Sequence, residues 1–303
     1  MDSELSRLRS SCSAIVRAYN RDMTTHSTKV WELSSERGAL ELSLPDMSSL
    51  DALTRQLPQG YYSTFRTYDS GKRVLGLRAH LQRLYQPTIL QQTNPAVPVA
   101  MLRRILAETL KTHHGDARVR LMMSLDGRVF MALEPLKIIP SEVYARGVKV
   151  VTSEVERQSP RLKSTAFISA SEGLRAQIAG SDTFEALLVR NGFILEGMTS
   201  NFFYIKDGIL GTARRDILLG VTRRTVLRVA RGSGFSIVYR SMKQEQVPAL
   251  TEAFLTSSSR GIVPIVQINN MRVGKGIPGP ITKELMDGYT SYVMRHTEKI
   301  NPR

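Results

Sequence analysis

The chain has 303 residues, of which 42% are hydrophobic, enough for one large domain or two of ordinary size. A net charge of +15 raises the possibility of a polyanionic partner, but the basic residues are scattered among acidic ones, which favours a basic solvated surface. No apolar run approaches the ~20 residues of a membrane helix. The single cysteine, Cys12, excludes an internal disulfide and a thiol-ligated metal cluster, and it suits a reducing cytoplasm.

Residues 1–28 are polar and rich in Ser and Arg. Five apolar residues recur there at roughly helical spacing: Leu5, Leu8, Ile15, Val16 and Tyr19. The segment lacks the continuous apolar core of a secretion signal. We therefore predict a variable N-terminal extension. An organelle-targeting leader is the alternative, and Asp2 and Glu4 argue against it.

Residues 29–140 have the pattern of a smaller α/β domain. The β-branched and aromatic stretch 61–68 predicts a strand that returns as a hairpin over 74–77. Helices are predicted from His80 and from Pro98 to Gly115. A second hairpin, residues 118–124 with 129–133, is indicated by Asp126-Gly127, because that pair tolerates the positive φ angles of a tight turn.

Residues 141–303 have the pattern of a larger domain after a proline-containing connection. Strands are predicted at five places: 148–151, 193–195, 202–205, 253–255 and 262–268. A helix is predicted around 226–230, and Pro280 begins the last helix. The alternation of strands and helices predicts a two-domain α/β (α+β) protein.

The block from Leu195 to Phe203 places Glu196 and Asn201 between apolar strands. Polar side chains enclosed in this way must find partners or carry a large desolvation cost. The structural alternative is that both are turn residues, with Glu196 paired to an arginine. Downstream, 218–223 begins a helix and 254–259 is a turn rich in Ser and Thr. Because the free N–H groups of a helix N-terminus favour anions, these two turns together suggest a phosphate cradle.

This order of motifs resembles the class IV aminotransferases, the fold type IV group of pyridoxal-phosphate enzymes, from about residue 60 to about residue 285. The family includes branched-chain aminotransferases, D-amino acid aminotransferases and 4-amino-4-deoxychorismate lyases. The resemblance implies pyridoxal 5'-phosphate as the cofactor, bound in the crevice between two domains, and a homodimer. It implies no metal ion.

The resemblance also implies roles for individual residues. Lys163 would form the Schiff base with the cofactor and move the substrate proton, and Glu196 would keep the pyridine nitrogen protonated. Four residues would bind the phosphate: Arg83, Val221, Thr222 and Ser258. Three would line the substrate pocket: Tyr62, Thr64 and Ser259. Each also has a structural interpretation, since a lone lysine or arginine is ordinarily a surface charge and alternating polar residues occur in any sheet.

Several positions depart from the usual family pattern. Met198 replaces a small residue, the stretch 212–218 is short, and Ser63 stands where many members carry Glu. Ala166 and Phe167 replace the Asn or Tyr that many members place near the cofactor's phenolic oxygen. This last departure weakens the branched-chain assignment, because the Tyr is characteristic of those enzymes.

The expected reaction is transamination, from a small branched-chain-like amino acid to a 2-oxo acid such as 2-oxoglutarate. One alternative is β-elimination of pyruvate from 4-amino-4-deoxychorismate, which Thr64 and the missing Tyr favour. Another is a catalytically degenerate protein that binds nucleic acid or another polyanion through its basic surface. The presence of Lys163, Glu196 and Arg83 argues against the degenerate protein. Neither a nucleic-acid nor a membrane partner is expected.

Overall fold

The structure, a computed structural model, describes residues 14–17, 19 and 28–301. The described residues fall into two compact units. Unit 1 holds residues 138–161 and 170–292 with the described residues of the N-terminal stretch, and unit 2 holds 28–137, 162–169 and 293–301. The mixed α/β fold expected from the sequence is confirmed, and the domain boundary near residue 140 stays a prediction.

The helices and strands of the described residues are numbered in chain order from Lys29. The first are β1 (Lys29–Ser34), β2 (Gly38–Leu42), α1 (Leu50–Gln56), β3 (Gly60–Tyr68), β4 (Arg73–Leu75), α2 (Leu77–Gln91), α3 (Val99–Lys111), β5 (Ala117–Ser124) and β6 (Val129–Pro135). The others are α4 (Ser141–Arg146), β7 (Val148–Ser153), α5 (Ala166–Ala170), α6 (Glu172–Ala179), β8 (Thr183–Arg190), β9 (Phe193–Gly197), β10 (Asn201–Lys206), β11 (Ile209–Gly211), α7 (Val221–Gly232), β12 (Ile237–Val238), β13 (Met242–Lys243), β14 (Glu252–Ser257), β15 (Gly261–Ile268), β16 (Met271–Arg272), α8 (Pro280–His296) and β17 (Thr297–Lys299).

Unit 2 is built on an antiparallel sheet of seven strands, in the order β17-β4-β3-β5-β6-β1-β2. Successive side chains of a strand point to opposite faces, so β3 presents Phe65 to one face and Tyr62 to the other. Phe65 packs in a core with residues of α2 and α3, and Tyr62 packs in a smaller core with Leu53 of α1. Both faces of β3 are therefore covered in part.

The segment around Lys163 is attached to β3 within unit 2. The N–H of Tyr62 donates to the carbonyl of Lys163 at 2.9 Å, and the N–H of Thr165 donates to the carbonyl of Gly60 at 2.9 Å. Gly60 must be glycine, since a Cβ there would lie 2.0 Å from the carbonyl oxygen of Met123 on the neighbouring strand. This pairing fixes the backbone of Lys163 beside β3.

The structure confirms one predicted element of unit 2 and moves the start of another. The predicted hairpin around Asp126-Gly127 is confirmed, because β5 and β6 pair across a turn in which Gly127 has φ +90. The helix predicted from His80 instead begins at Leu77, after Gly76 in the left-handed conformation, and continues through Pro87. An interior proline costs a helix about 3 kcal/mol, and α2 offsets that cost by burying side chains such as Leu84 in the core.

Unit 1 is built on a mixed sheet whose main path is β12-β11-β10-β14-β15-β7-β8-β9-β13, with β16 beside β15. The neighbours β15–β7, β7–β8 and β11–β12 are parallel, and the others are antiparallel. The predicted helix around 226–230 is confirmed as α7, which buries Val226 and exposes Arg224 and Arg228. Strand β8 is buried over seven of its eight residues and shows no alternation in the sequence.

The predicted N-terminal extension is described only in part. Residues 14–17 are helical, and Val16 packs in the core of unit 1, with Ile15 and Tyr19 against that core. Leu5, Leu8 and Cys12 lie outside the described residues. No helix among the described residues is long and apolar enough to cross a membrane.

Candidate active site

Glu196, at the end of β9 in unit 1, is a buried carboxylate with three different partners. Its side chain is 3% exposed. One oxygen accepts from Arg157 Nε at 3.0 Å, and the other accepts from Asn201 Nδ2 at 3.2 Å and from the N–H of Leu218 at 3.0 Å. Each partner stabilises negative charge on the carboxylate. Glu196 is thereby fixed as an anion of defined orientation.

Arg157 is a site residue that the sequence analysis missed. Its side chain is 4% exposed, and its Nη2 donates to the carbonyl of Met198 at 2.8 Å in addition to the Glu196 contact. The structural interpretation of Glu196 anticipated an arginine partner without identifying it. An arginine that reaches both Glu196 and the turn behind it locks the direction of the carboxylate.

Asn201 joins the glutamate to the start of α7. Its Nδ2 donates to the carbonyl of Leu218 at 2.7 Å as well as to Glu196. Gly220 precedes the helix, and a Cβ there would lie 2.2 Å from Asn201 Oδ1, so only glycine allows this approach. The first turn of α7 is thus placed by the same residues that hold Glu196.

Three of the predicted phosphate-binding residues lie together in unit 1. Val221 and Thr222 form the first turn of α7, whose N-cap residue Gly220 supplies no side-chain hydrogen bond. Thr222 Oγ1 lies 3.4 Å from Ser258 Oγ, in the turn between β14 and β15. Ser259 occupies the next position of that turn and is partly buried. A helix N-terminus with two hydroxyls beside it has the donors that a phosphate group requires.

The side chains in unit 1 match the chemistry of a phosphate-bearing pyridine ring. Backbone N–H groups and hydroxyls suit a phosphate, and a carboxylate held as an anion suits a protonated ring nitrogen. Thr256, which pairs with Asn201 across the sheet, has a buried Oγ1 with no hydrogen-bond partner among the described residues. A buried hydroxyl in this condition is an unused donor and acceptor for a polar ligand.

Lys163 lies in unit 2 with Tyr62 and Thr64, two of the three predicted substrate-pocket residues. Its Nζ is 4.7 Å from the centre of the Tyr62 ring, a cation–π contact. The guanidinium carbon of Arg120, on β5, is also 4.7 Å from that ring. Arg120 donates to Thr64 Oγ1 at 3.2 Å and pairs with Asp51 at 2.7 Å. Tyr62 is therefore held between the strand, the lysine and a buried arginine.

Arg120 is the second residue that the sequence analysis missed. It is 2% exposed and also donates to the carbonyl of Leu50 and to Thr54 Oγ1, each at 2.8 Å. The signal available was an arginine inside the apolar strand sequence 119–123, a position where a charge needs a partner. The partner, on α1, could not be read from the local pattern.

Arg83 lies on α2 in unit 2, so the structure groups it with Lys163, Tyr62 and Thr64. On the same helix His80 is buried, and its Nδ1 lies 2.8 Å from Ser63 Oγ. Ser63, which departs from the usual family pattern, thus has a buried partner inside the unit. The other five predicted residues, Glu196, Val221, Thr222, Ser258 and Ser259, lie in unit 1.

Comparison with known proteins identifies the family. The sequence model of amino-transferase class IV matches residues 60–268. The chain belongs to the class IV aminotransferases. It is therefore a pyridoxal-phosphate-dependent transferase that acts on amino and oxo acids, and the fold type, cofactor and enzyme class expected from the sequence are confirmed.

Curated relatives agree with this family, and solved structures share the fold. A branched-chain-amino-acid aminotransferase of Pseudomonas aeruginosa is 28% identical over 79% of this chain and 85% of its own length. The crystal structure of the Escherichia coli branched-chain enzyme aligns with a TM-score of 0.72 at 20% identity, covering 90% of this chain and 99% of that one. A further branched-chain enzyme, whose structure was solved with pyridoxamine 5'-phosphate, aligns with a TM-score of 0.73 at 20% identity, over 90% and 98%.

Proposed function

We propose that this aminotransferase moves the amino group of a small, branched-chain-like amino acid to a 2-oxo acid such as 2-oxoglutarate. The names of the relatives support the substrate class. The observation that carries the proposal is the buried Glu196 carboxylate, oriented by Arg157, Asn201 and the N–H of Leu218. A fixed anion of this kind serves a ring nitrogen that must stay protonated.

When bound, pyridoxal phosphate supplies an electron sink for the pair of electrons released as the substrate α-carbon loses its proton. Glu196 would hold the proton on the ring nitrogen. Thr222 and Ser258 would bind the phosphate through their hydroxyls, Val221 would bind it through its N–H, and Arg83 would contribute a guanidinium.

Lys163 has two tasks in the proposal. In the resting enzyme its Nζ would bind the cofactor's aldehyde carbon. Once displaced by the substrate, the free amine would take the proton from the substrate α-carbon and deliver it to that cofactor carbon. The contact with Tyr62 places Nζ beside the aromatic ring of that residue, next to β3.

Tyr62 and Thr64 belong to the substrate pocket in the proposal, and Ser259 binds the substrate carboxylate. Tyr62 offers an apolar ring to an aliphatic side chain. Thr64 accepts a hydrogen bond from Arg120, so its hydroxyl has a fixed direction. A homodimer, which the family resemblance implies, and a cytoplasmic location complete the proposal.

The substrate is tested by a half-reaction screen. Individual L- and D-amino acids are added to the yellow holoenzyme, and conversion of the cofactor to its amine form is followed by absorbance. We expect conversion with L-Leu, L-Ile and L-Val. Conversion with D-amino acids only would contradict the substrate proposal, as would silence toward all of them together with pyruvate release from 4-amino-4-deoxychorismate.

Matched lysine variants serve as controls for the screen. Lys163→Ala removes the proposed attachment point, and Lys149→Ala removes a partly exposed lysine of unit 1 that pairs with Asp182. The first variant should lose the response to every amino acid, and the second should keep it. Loss of the response in both would contradict the role given to Lys163.

A further inference from the structure

Unit 1 contains a second buried ion pair that the proposed function does not use. Arg260 Nη2 lies 2.6 Å from Glu185 Oε2, and the two side chains are 16% and 2% exposed. Replacing a buried ion pair of this kind by apolar residues is often neutral or stabilising in proteins, so the pair is weak evidence for a role in stability. Its contacts indicate a different role.

The carboxylate of Glu185 holds the turn that follows Glu196. Its Oε1 accepts from the N–H of Thr199 at 2.6 Å, from Thr199 Oγ1 at 3.1 Å and from Ser200 Oγ at 3.0 Å. Gly197, next to Glu196, leaves no room for a side chain, since a Cβ would lie 2.8 Å from Glu185 Oε1. Glu185 is thus packed directly against the backbone that carries Glu196.

The guanidinium of Arg260 holds the turn that carries Ser258 and Ser259. Its Nε donates to Ser257 Oγ at 3.0 Å, and its Nη2 also donates to Thr199 Oγ1 at 2.6 Å. The carbonyl of Arg260 accepts from Tyr144 Oη at 2.8 Å. The turn between β14 and β15 is therefore tied from both its side-chain and its main-chain groups.

The pair consequently connects two turns that carry different parts of the site. One turn follows the carboxylate proposed for the ring nitrogen, and the other presents the Ser258 hydroxyl, 3.4 Å from Thr222 Oγ1. A phosphate group accepts from both hydroxyls only if their separation is fixed, and turns are ordinarily more mobile than the strands they join.

We propose that Glu185 and Arg260 are positioning residues that set the affinity of the enzyme for the phosphate of its cofactor by holding Ser258 opposite Thr222. The inference deepens the proposed function and rests on the assignment of Thr222 and Ser258 to the phosphate. Neither Glu185 nor Arg260 touches the phosphate in this account. Their removal changes the spacing of the hydroxyls, whereas Glu196 keeps its contacts with Arg157, Asn201 and the N–H of Leu218.

The test compares two ligands that differ only by the phosphate. Full-length chain freed of cofactor is titrated with pyridoxamine 5'-phosphate and with pyridoxamine, for Arg260→Met, Glu185→Gln and the unchanged enzyme. We expect affinity for the phosphorylated ligand to fall about 10- to 100-fold in both variants, the range for lost charge-assisted hydrogen bonds. Affinity for pyridoxamine should change less than about threefold. Lys149→Met, which breaks the partly exposed pair with Asp182, is the control and should leave both affinities unchanged.

An equal loss of affinity for both ligands, or no loss for either, would overturn the inference. Arg260→Lys covers the case in which Arg260→Met fails to fold, because the lysine keeps the charge and can still reach one carboxylate. Its selectivity for the phosphorylated ligand should lie between that of the unchanged enzyme and that of Glu185→Gln. If both Arg260→Lys and Glu185→Gln keep the selectivity of the unchanged enzyme, the inference is overturned.

Two further variants separate this inference from the proposed function. Ser258→Ala and Thr222→Val remove the hydroxyls themselves and should lower the same selectivity. If they do not, the phosphate assignment fails, and the inference fails with it. If they do while Arg260→Met does not, the positioning role alone is wrong.

Discussion

The Arg120–Asp51 pair of unit 2 and the Arg157–Glu196 pair of unit 1 differ in what surrounds them. In unit 2, Arg120 pairs with Asp51 and donates to three further oxygens of the same unit. In unit 1, Arg157 pairs with Glu196, and nearby Thr256 Oγ1 has no hydrogen-bond partner among the described residues. The pair in unit 2 is thus part of a closed network, whereas the pair in unit 1 lies beside polar groups that are still available.

The polar networks of the two units therefore fix different kinds of group. The network of unit 2 fixes an aromatic ring and, through it, the amine of Lys163. The network of unit 1 fixes an anion and leaves hydroxyl and N–H groups for a polar ligand. Among the described residues both units contain buried polar atoms without a hydrogen-bond partner, and Thr256 Oγ1 is one that lies across the sheet from Asn201, a partner of Glu196.

The largest expected effect is the difference in rate between a Lys163 variant in unit 2 and a Lys149 variant in unit 1. Lys163→Ala should lower the rate of transamination by about 10⁴-fold, because it removes both the attachment point and the proton carrier. Lys149→Ala should stay within about threefold, since a partly exposed ion pair contributes little. The measurement is initial-rate kinetics with saturating amino and oxo acids. A Lys163→Ala enzyme with more than a tenth of the original rate would contradict the role proposed for Lys163.

The two buried pairs should respond differently to loss of charge. Glu196→Gln leaves Arg157 buried without its anion and should cost about 3–5 kcal/mol of unfolding free energy. Asp51→Asn should cost only about 1–2 kcal/mol, because the Asp51 side chain is 24% exposed and Arg120 keeps its oxygen partners. Hydrogen exchange of the peptides covering β5 and β9 reports each site. Equal protection losses at the two sites would contradict the comparison.

A matched pair of threonines sharpens the contrast between used and unused hydroxyls. Thr54 Oγ1 donates to the carbonyl of Leu50 and accepts from Arg120, so Thr54→Val should cost about 1–2 kcal/mol. Thr256→Val removes a buried hydroxyl without a described partner and should stabilise the cofactor-free chain by up to ~1 kcal/mol. Urea unfolding of both variants decides the point, and an equal cost would remove the distinction.

The smallest expected effect is at the surface of unit 2. The hydrogen bond from Arg128 lowers the pKa of Glu32 below its ordinary value of 4.5. When the pKa of a carboxyl is lower in the folded than in the unfolded chain, the ionised carboxyl stabilises the folded state at pH values above the unfolded pKa. This stabilisation is lost as the pH falls through the folded pKa. Glu32→Gln should therefore cost a few tenths of a kcal/mol at pH 7, since the pair is half-exposed and screened by salt, and nothing in acid. Urea unfolding midpoints of both proteins, measured at pH 7 and in acid below the pKa of Glu32, test this. A loss of stability that persists in acid would contradict it.

The sequence predicts the family and the fold because its motifs are local and ordered. The strand 61–68, the block around Glu196 and the helix start at Val221 each combine a recognisable pattern with a chemical requirement, and all three lie within the region matched by the family. The roles of Lys163 and the other predicted site residues stay predictions. Their grouping within each unit is what the structure adds.

The contacts that organise the site could not be predicted, for a physical reason. The two partners of each buried ion pair are far apart in the chain, as they are in Arg157–Glu196, Arg120–Asp51 and Arg260–Glu185. Periodicity reports which face of an element is buried, but not which distant residue it meets. Strand β8, which carries Glu185, was not predicted for a related reason. A strand that is buried on both faces shows no alternation of polar and apolar residues in the sequence.

The role of Lys163 is tested most directly by finding where the cofactor is attached. The holoenzyme is reduced with borohydride and digested, and its peptides are sequenced by mass spectrometry. We expect a pyridoxyl group on Lys163, in the segment that pairs with Gly60 and Tyr62. A pyridoxyl group on any other lysine, or none on a chain that carries out the transamination, would contradict it.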